Sequence, residues 1–175
     1  ADTDADTDLV DCNDDWTGIT PDPGDAGLGQ CVVEELFCGE TVYGTTTGGS
    51  TVYDYDFWEQ ENALGNIFGD FSALDGPERS YVFRHLPQGG TLVVTVEACM
   101  DLWASWIRYG DSGNTYCDLD HFNIGGVFDT PIGGRTMQVT MINPASPSGY
   151  NFEFIIEGLH SVEGNYAITV DCYDF

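Results

Sequence analysis

The chain has 175 residues, of which 42% are apolar and 13% aromatic, which is enough for one domain with a real core. Its 30 acidic residues and 4 arginines, with no lysine, give a formal net charge of −26. This charge excludes nucleic acid as a partner, because nucleic-acid binding needs basic patches, and it disfavours anionic membrane surfaces. The apolar runs are too short for a transmembrane helix, so we expect no membrane insertion.

Residues 1–30 differ in composition from the rest of the chain and predict an acidic, extended N-terminal arm. They open with the repeat Ala-Asp-Thr-Asp-Ala-Asp-Thr-Asp, and nine of the 30 acidic residues lie in residues 1–25. Composition alone indicates a solvated tail. A signal peptide would begin with basic residues, so we expect either a mature secreted chain or a piece of a longer one.

From residue 31 onward the chain consists of short strand-like segments separated by turn residues. Apolar and polar residues alternate in several of them, as in strands with one buried face. These segments are 81–85, 91–98, 135–142, 150–157 and 165–172. Such a series, with almost no helical period, predicts an all-β protein, namely an antiparallel β-sandwich of about 8–9 strands over residues 31–175.

Two local features interrupt this series of strands. Segments 41–47 and 51–58 flank Gly48-Gly49, a pair of turn residues, and this arrangement predicts a β-hairpin. One helical turn is expected within 58–66.

The six cysteines predict disulfides, and therefore a secreted protein, extracellular or at the cell surface. An even number of cysteines without a C-x-x-C pair favours disulfides over a zinc site. Cys31 and Cys38 are the nearest pair, and their spacing fits no common zinc site. The spacing of the cysteines leaves the pairing open.

The sequence offers little support for catalysis. Gly110-Asp111-Ser112-Gly113 matches the core of a serine-protease motif, but Asn114 follows where those proteases have glycine, and the segment is typical of a turn. His85, His121 and His160 lie on separate predicted elements. The motifs of lipases, P-loop proteins and zinc proteases are missing from the sequence. We therefore predict that the protein is not an enzyme and requires no cofactor.

Calcium is the ion for which the sequence offers ligands. Carboxylate and carbonyl oxygens from flexible loops bind Ca²⁺, and acidic residues clustered in turns supply them. The arm resembles the start of a D-x-D-x-D calcium-binding loop, although it lacks the glycine and glutamate of an EF-hand. In the alternative interpretation its aspartates are solvated and bind no specific ion. The candidate metal ligands are Asp2, Asp4, Asp6 and Asp8 in the arm, with Asp118 and Asp120 further along the chain.

Four tryptophans and nine tyrosines are enough to contribute to a sugar-binding surface. Trp103 and Trp106 are three residues apart on a predicted strand, so their side chains face opposite sides and we expect one to be exposed. They are the candidate ligand-binding residues for an extracellular polysaccharide. Core packing is the alternative interpretation.

Several stretches between residues 38 and 172 share the pattern of one family of small secreted domains. They are C-G-E-T-V-Y-G at 38–44, G-P-E-R-S-Y-V-F at 76–83, G-G-T-L-V-V-T-V at 89–96, M-D-L-W at 100–103 and G-N-Y-A-I-T-V-D-C at 164–172. Through these stretches, residues 38–172 resemble the bacterial pre-peptidase C-terminal domain.

The resemblance implies a jelly-roll-like sandwich and a non-catalytic extracellular module. Members of this family accompany secreted hydrolases and surface proteins, and some bind Ca²⁺ or extracellular polymers. The resemblance also implies that the first and last strands lie together, which favours a disulfide between Cys38 and Cys172. Cys12–Cys31 and Cys99–Cys117 would then be the remaining pairs.

Two functions are compatible with these features. The leading hypothesis is a structural protein that self-associates through its arm into a homo-oligomer, a polymer or a surface fibre or filament, because an extended segment can add to a sheet edge. The alternative is a calcium-dependent module that binds a polysaccharide or protein matrix. Since like-charged subunits repel, we expect any assembly to depend on hydrophobic or strand-pairing contacts and on divalent cations.

Overall fold

The computed structural model describes residues 32–53, 56–59, 67–68, 76–109, 124–127, 136–158 and 161–174. These residues form ten strands and one helical turn at 56–59. The strands are β1 (Val32–Glu35), β2 (Thr41–Thr45), β3 (Ile67–Phe68), β4 (Glu78–Leu86), β5 (Thr91–Ala98), β6 (Leu102–Tyr109), β7 (Ile124–Val127), β8 (Thr136–Ile142), β9 (Tyr150–Gly158) and β10 (Asn165–Tyr173). Within this part of the chain, no helix is long and apolar enough to cross a membrane.

The strands form two sheets packed face to face. One sheet has six strands in the order β1-β4-β9-β6-β7-β3, and the other has four in the order β2-β10-β5-β8. Pairing is antiparallel except between β1 and β4 and between β3 and β7, which are parallel. The predicted all-β sandwich is therefore confirmed, with two parallel pairs added to the antiparallel pattern.

The main core lies between the two sheets and follows from the alternation in the sequence. In β5, every second residue is fully buried, and β8 alternates in the same way. Because successive side chains of a strand point to opposite faces, this period buries one face and leaves the other to solvent. The inward residues of the four-stranded sheet include Leu92, Val94, Val96, Met137, Val139, Met141, Tyr166, Ile168 and Val170.

The outer surface of the six-stranded sheet is also buried, and we call it the covered face. Strand β9 is buried at every position from its third residue on. It therefore lacks the alternation of buried and exposed residues that a strand with one solvent-exposed face shows. Tyr53, Phe57 and Trp58 pack on this face, and the Trp58 indole N–H donates to the Tyr53 carbonyl at 3.0 Å. The sandwich thus has a third layer on this side, to which Val52, Tyr53, Phe57 and Trp58 contribute.

The hairpin predicted across Gly48-Gly49 is wrong. Strand β2 pairs with β10 instead, and Ser50 forms an isolated bridge with Glu78 at the start of β4. The Tyr53 amide donates to the Glu78 carboxylate at 3.1 Å. The chain therefore crosses from one sheet to the other after β2. The helical turn at 56–59 begins two residues before the predicted segment, and residues 60–66 lie outside the described part of the chain.

The predicted disulfide between Cys38 and Cys172 is confirmed, with an S–S distance of 2.02 Å. It ties the residues before β2 to β10. Cys99 is also disulfide-bonded, so every described cysteine is oxidised. The proposed pairs Cys12–Cys31 and Cys99–Cys117 each include residues outside the described ranges, as does the arm assigned to residues 1–30.

Candidate functional site

The outer surface of the four-stranded sheet is open to solvent except at the buried Ala167, and we call it the open face. Its side chains come from the positions of β2, β10, β5 and β8 that alternate with the core positions. The strand registers place them in four rows across the sheet. The rows are Tyr43–Ala167–Glu97–Thr136, Thr41–Thr169–Thr95–Gln138, Asp171–Val93–Thr140 and Tyr173–Thr91–Ile142.

Hydroxyl and amide groups dominate this surface. In the second row the Thr41 and Thr169 hydroxyls lie 3.0 Å apart, and the Gln138 amide donates to the Thr95 hydroxyl at 2.9 Å. These cross-strand bonds fix side-chain rotamers at the centre of the sheet. The open face therefore presents an ordered array of groups that can both donate and accept hydrogen bonds.

Large apolar side chains lie at the margins of the open face. Tyr43 is 52% exposed in the first row, and Tyr173 and Ile142 are 54% and 58% exposed in the last row. They flank the polar rows at both ends of the sheet.

The open face carries two carboxylates, of Glu97 and Asp171, among its 14 row positions, which is close to the share of 30 acidic residues among 175 in the whole chain. The two stand in the first and third rows, so the second row holds no charged side chain. Uncharged polar groups cost less to desolvate than carboxylates do. The second row is therefore suited to contact with another surface.

The covered face holds three buried carboxyl groups, of Glu78, Glu153 and Glu157. The Tyr109 hydroxyl donates to Glu153 at 2.7 Å. Burial raises the pKa of Glu78 to about 7, although hydrogen bonds from the Tyr53 and Val52 amides lower it. With exposures of 1% or less, these groups cannot contact a substrate in solution, and they act inside the fold.

Most of the metal and catalytic candidates from the sequence cannot be placed. The protease-like segment 110–113 lies outside the described residues, and so do Asp2, Asp4, Asp6, Asp8, Asp118 and Asp120. Across the described ranges, no group of three or more His, Cys, Asp or Glu side chains is arranged to hold a metal ion. The predicted calcium ligands therefore stay a prediction.

The expectation that either Trp103 or Trp106 is exposed is wrong. Their side chains do face opposite sides of β6, but Trp103 is only 1% exposed on the covered face. Trp106 is half-buried and packs on the main core, with its ring 6.4 Å from that of Phe152. The reason is that both faces of the six-stranded sheet are covered. The assignment of these two residues to ligand binding stays a prediction.

The threonine rows of the open face were missed by the sequence analysis. Their signal is present in β5 and β8, where threonine recurs at the outward positions Thr91, Thr95, Thr136 and Thr140. The strand order was needed to recognise the surface, because Thr41 and Thr169 join these residues only when β10 lies between β2 and β5. Distant segments of the chain thus form one array.

No family model matches the sequence, and no curated protein is a significant match to it. The structure is similar to the pre-peptidase C-terminal domain of a collagenase from Bacillus anthracis, with 12% identity over 79% of this chain and 93% of that chain and a TM-score of 0.41. A periplasmic inhibitor of g-type lysozyme from Aeromonas hydrophila gives 9% identity, 81% and 96% coverage and a TM-score of 0.42.

The K3 cleaved adhesin domain of Lys-gingipain from Porphyromonas gingivalis is a third similar structure. It gives 17% identity over 61% of this chain and 70% of that chain, with a TM-score of 0.36. The family that the sequence resembles is thus represented among the structures similar to this fold. At these identities the similarity extends to the fold alone.

Proposed function

We propose that the protein is a non-catalytic extracellular module that binds an uncharged polysaccharide through the open face. The observation that supports this function is the combination, on one exposed sheet surface, of a central row of uncharged hydroxyl and amide groups with exposed aromatic rings at the margins. A polysaccharide presents the complementary groups, because its hydroxyls donate and accept hydrogen bonds and its ring carbons offer apolar patches.

The threonine and glutamine side chains supply the polar part of this contact. A single hydrogen bond contributes only about 0.5–1.5 kcal/mol after exchange with water, so useful affinity requires many of them in parallel. The second row contributes Thr41, Thr169, Thr95 and Gln138 from four adjacent strands. A polymer with a repeating unit can engage such a row repeatedly, and each added contact slows dissociation.

The exposed rings of Tyr43 and Tyr173 supply the apolar part. A tyrosine ring buries a large area at little cost in side-chain entropy and keeps a hydroxyl for hydrogen bonding. Its face can lie against the carbon–hydrogen face of a sugar ring. The two tyrosines stand in the first and last rows, so they frame a ligand that lies along the sheet.

Electrostatics favours an uncharged ligand over the other candidates. An anionic polymer or a second copy of the chain is repelled by the net charge of −26. A cationic polymer would be attracted to acidic surfaces anywhere on the molecule and would have no preference for a face with two carboxylates. A neutral glycan is not repelled by the net charge, and along the second row it displaces water from uncharged groups alone.

Binding to insoluble neutral glycans tests this function. The full chain is mixed with cellulose, chitin and starch granules, and the bound fraction is measured at low and high salt. We expect saturable retention on at least one of them that persists in 1 M NaCl, because screening weakens only charge–charge contacts. Retention on none of the three would overturn the proposed function.

A pair of variants locates the binding surface. Thr169→Arg puts a long side chain at the centre of the open face, and we expect it to abolish retention. Thr51→Arg is the matched control, since Thr51 is exposed next to the bridge between Ser50 and β4 and does not belong to the open face. If both variants bind like the unmodified chain, the open face is not the site.

Self-association through the arm is a separate proposal for the same chain. Among the described strands, β8 pairs on one side only, with β5, and such an edge can accept a strand from another molecule. Light scattering and negative-stain images of the full chain provide the test. We expect concentration-dependent oligomers or filaments once salt and divalent cations screen the repulsion between copies, and a sample that stays monomeric under those conditions would remove this proposal.

A further inference from the structure

Three half-buried side chains, those of Trp106, Arg108 and Tyr150, lie together at the edge of the main core. Trp106 and Arg108 alternate along β6 with the residues of the covered face, so both point toward the space between the sheets. Tyr150, the first residue of β9, packs beside them. Each of the three keeps part of its surface in solvent, so a ligand can reach them. We call them the Arg108 cluster.

Arg108 is one of 4 arginines in a chain with 30 acidic residues, yet no acidic residue pairs with it in the described part of the chain. Its Nε atom is buried without a hydrogen-bond partner. The contact that the structure gives it is with the ring of Tyr150, whose centroid lies 4.5 Å from the guanidinium carbon. Arg84, by contrast, pairs with Glu35 at 3.7 Å. The charge of Arg108 is therefore not neutralised by a carboxylate of the described residues.

The stack on Tyr150 leaves the hydrogen-bonding edge of the guanidinium to a ligand. A cation–π contact uses the face of the planar group, whereas its N–H bonds point outward in the plane. Those donors match the two oxygens of a carboxylate, and such a pair forms stronger hydrogen bonds than neutral groups do. A charged donor that is partly buried without an acceptor costs free energy, and a bound carboxylate removes that cost. The cluster therefore favours an anionic ligand over a neutral one.

The indole of Trp106 adds an apolar surface next to this charge. It lies two positions before Arg108 on the same face of β6, so their Cα atoms are about 6.5 Å apart. The ring packs edge-to-face on Phe152, at 6.4 Å between centroids, and lies over Gly126, where a Cβ would come within 3.2 Å of it. These contacts fix the indole, and its remaining surface reaches solvent. A ligand bound at Arg108 through a carboxylate can therefore place its next atoms on an aromatic surface.

We propose that the Arg108 cluster binds a carboxylate attached to a six-membered ring. The carboxylate would accept hydrogen bonds from Arg108, and the ring would lie against Trp106 at the separation that the strand spacing sets. Two sources share this chemistry, namely a uronic acid and an aromatic acid. The net charge of −26 repels a single negative charge far less than it repels a polyanion, and 0.15 M salt limits that repulsion to a range of about 8 Å.

Titration of the full chain at physiological salt, followed by tryptophan fluorescence or NMR shifts, tests this site. The probes are glucuronate and benzoate, with glucose as the ligand that lacks the carboxylate and acetate as the ligand that lacks the ring. We expect saturable binding of at least one ring acid, with glucose and acetate at least about tenfold weaker, because each lacks one of the two contacts. The tighter ring acid identifies the source. Acetate or glucose that binds as well as the ring acids would overturn the ligand class, and binding of neither ring acid would refute the site.

Substitutions at two arginines separate the guanidinium from the general effect of charge. Arg108→Gln should weaken binding of the ring acid at least about tenfold. Arg84→Gln is the matched control, because it removes the same charge from a partly exposed arginine that pairs with Glu35, and it should leave binding unchanged. Ring-acid binding that survives Arg108→Gln would overturn the proposal.

A conservative variant keeps the test decisive if Arg108→Gln does not fold. Arg108→Lys retains the positive charge but lacks the planar fork of donors, so we expect it to bind the ring acid more weakly than the unmodified chain. Urea denaturation of each variant shows whether it is folded. Folded Arg108→Lys that binds as tightly as the unmodified chain would contradict the carboxylate contact.

This proposal does not rest on the proposed polysaccharide binding, because no residue of the Arg108 cluster belongs to the rows of the open face. Arg108→Gln should therefore keep full retention on insoluble glycans, and Thr169→Arg should bind ring acids like the unmodified chain. Salt separates the two sites as well, since 1 M NaCl should weaken ring-acid binding and leave glycan retention unchanged. Arg108→Gln that loses glycan retention but keeps ring-acid binding would show that both sites are wrongly assigned.

Discussion

The carboxyl group of Glu78 is buried in a protein that already carries 30 acidic residues. It accepts hydrogen bonds from the amides of Val52 and Tyr53 and from the Ser50 hydroxyl, so it anchors the crossing between the two sheets. Glu157 lies directly opposite it in the register of β4 and β9. Burial is the main cause that raises the pKa of the Glu78 carboxyl, and the charge of Glu153 raises it further.

We expect this residue to make the folded protein less stable as the pH rises. Its pKa is raised from 4.5 to about 7, so its contribution is fully present below 4.5 and is lost as the pH rises through about 7. At about 1.4 kcal/mol per pKa unit, the loss is about 3 kcal/mol. Glu78→Gln keeps the shape and removes the titration.

Urea denaturation at pH 5 and pH 8 measures this difference. The unmodified chain should lose about 2 to 3 kcal/mol more than Glu78→Gln between the two conditions. Glu35→Gln, a partly exposed glutamate on β1, serves as the control and should behave like the unmodified chain. Parallel losses in the unmodified chain and Glu78→Gln would contradict the assignment.

At the scale of elements, one side chain joins two turns of the sandwich. Asn143 follows β8, is fully buried, and donates through Nδ2 to the Leu86 carbonyl at 2.8 Å and the Ser146 carbonyl at 2.9 Å. Its Oδ1 accepts from the amides of Ser146 and Ala145. The turn between β8 and β9 is thereby fixed to the end of β4.

Replacing this side chain should loosen both turns. Asn143→Ala leaves the Leu86 carbonyl without this partner, and we expect a loss of about 2 to 3 kcal/mol in the free energy of unfolding. Hydrogen exchange should accelerate at the amides of Ser146 and its neighbours. Ser148→Ala, at an exposed position of the same turn, is the control. A loss below about 0.5 kcal/mol would show that the network contributes little.

How far the sequence predicts an element depends on how many of its faces are buried. Strands β5, β8 and β10 follow the predicted segments closely. In each of them one face is exposed to solvent and the other is buried, so polar and apolar residues alternate along the sequence. In β6, Trp103 is covered by Tyr53, Phe57 and Trp58, which are distant in sequence, so the pattern of β6 alone does not predict that it is buried. The failed hairpin has a different cause, since contacts with the distant Glu78 and with the covered face direct residues 50–53 to the other sheet.

At the scale of the whole molecule, the Cys38–Cys172 disulfide joins residues 134 positions apart. Closing so large a loop restricts the unfolded chain, which corresponds to about 4 to 5 kcal/mol in the chain-entropy treatment. The double variant Cys38→Ser, Cys172→Ser should lose about 4 kcal/mol in urea denaturation without reductant. Glycan retention should persist while the variant stays folded. A loss below about 1 kcal/mol would mean that the unfolded chain is already restricted by other means.

The net charge of −26 opposes the compact state through self-repulsion. Salt shortens the range of this repulsion, from about 30 Å at 0.01 M to about 3 Å at 1 M. We therefore expect the melting temperature to rise steadily with NaCl over this range. Because the open face holds two carboxylates, Glu97→Gln with Asp171→Asn should alter the slope only slightly. A melting temperature independent of NaCl would contradict a destabilising role of the charge.

Specific calcium binding by the aspartates of the arm and by Asp118 and Asp120 predicts a difference between Ca²⁺ and Mg²⁺ that charge screening does not predict. Mg²⁺ and Ca²⁺ screen equally at the same ionic strength, but Ca²⁺ is accommodated by flexible loops with several carboxylates, whereas Mg²⁺ requires a strict octahedron. A ligand that binds only the folded state raises its stability in proportion to the logarithm of its concentration. Melting temperatures in matched CaCl₂, MgCl₂ and EDTA should then rank Ca²⁺ clearly above Mg²⁺. Equal values in the two chlorides would remove calcium as a ligand and leave screening as the only effect of divalent ions on this acidic chain.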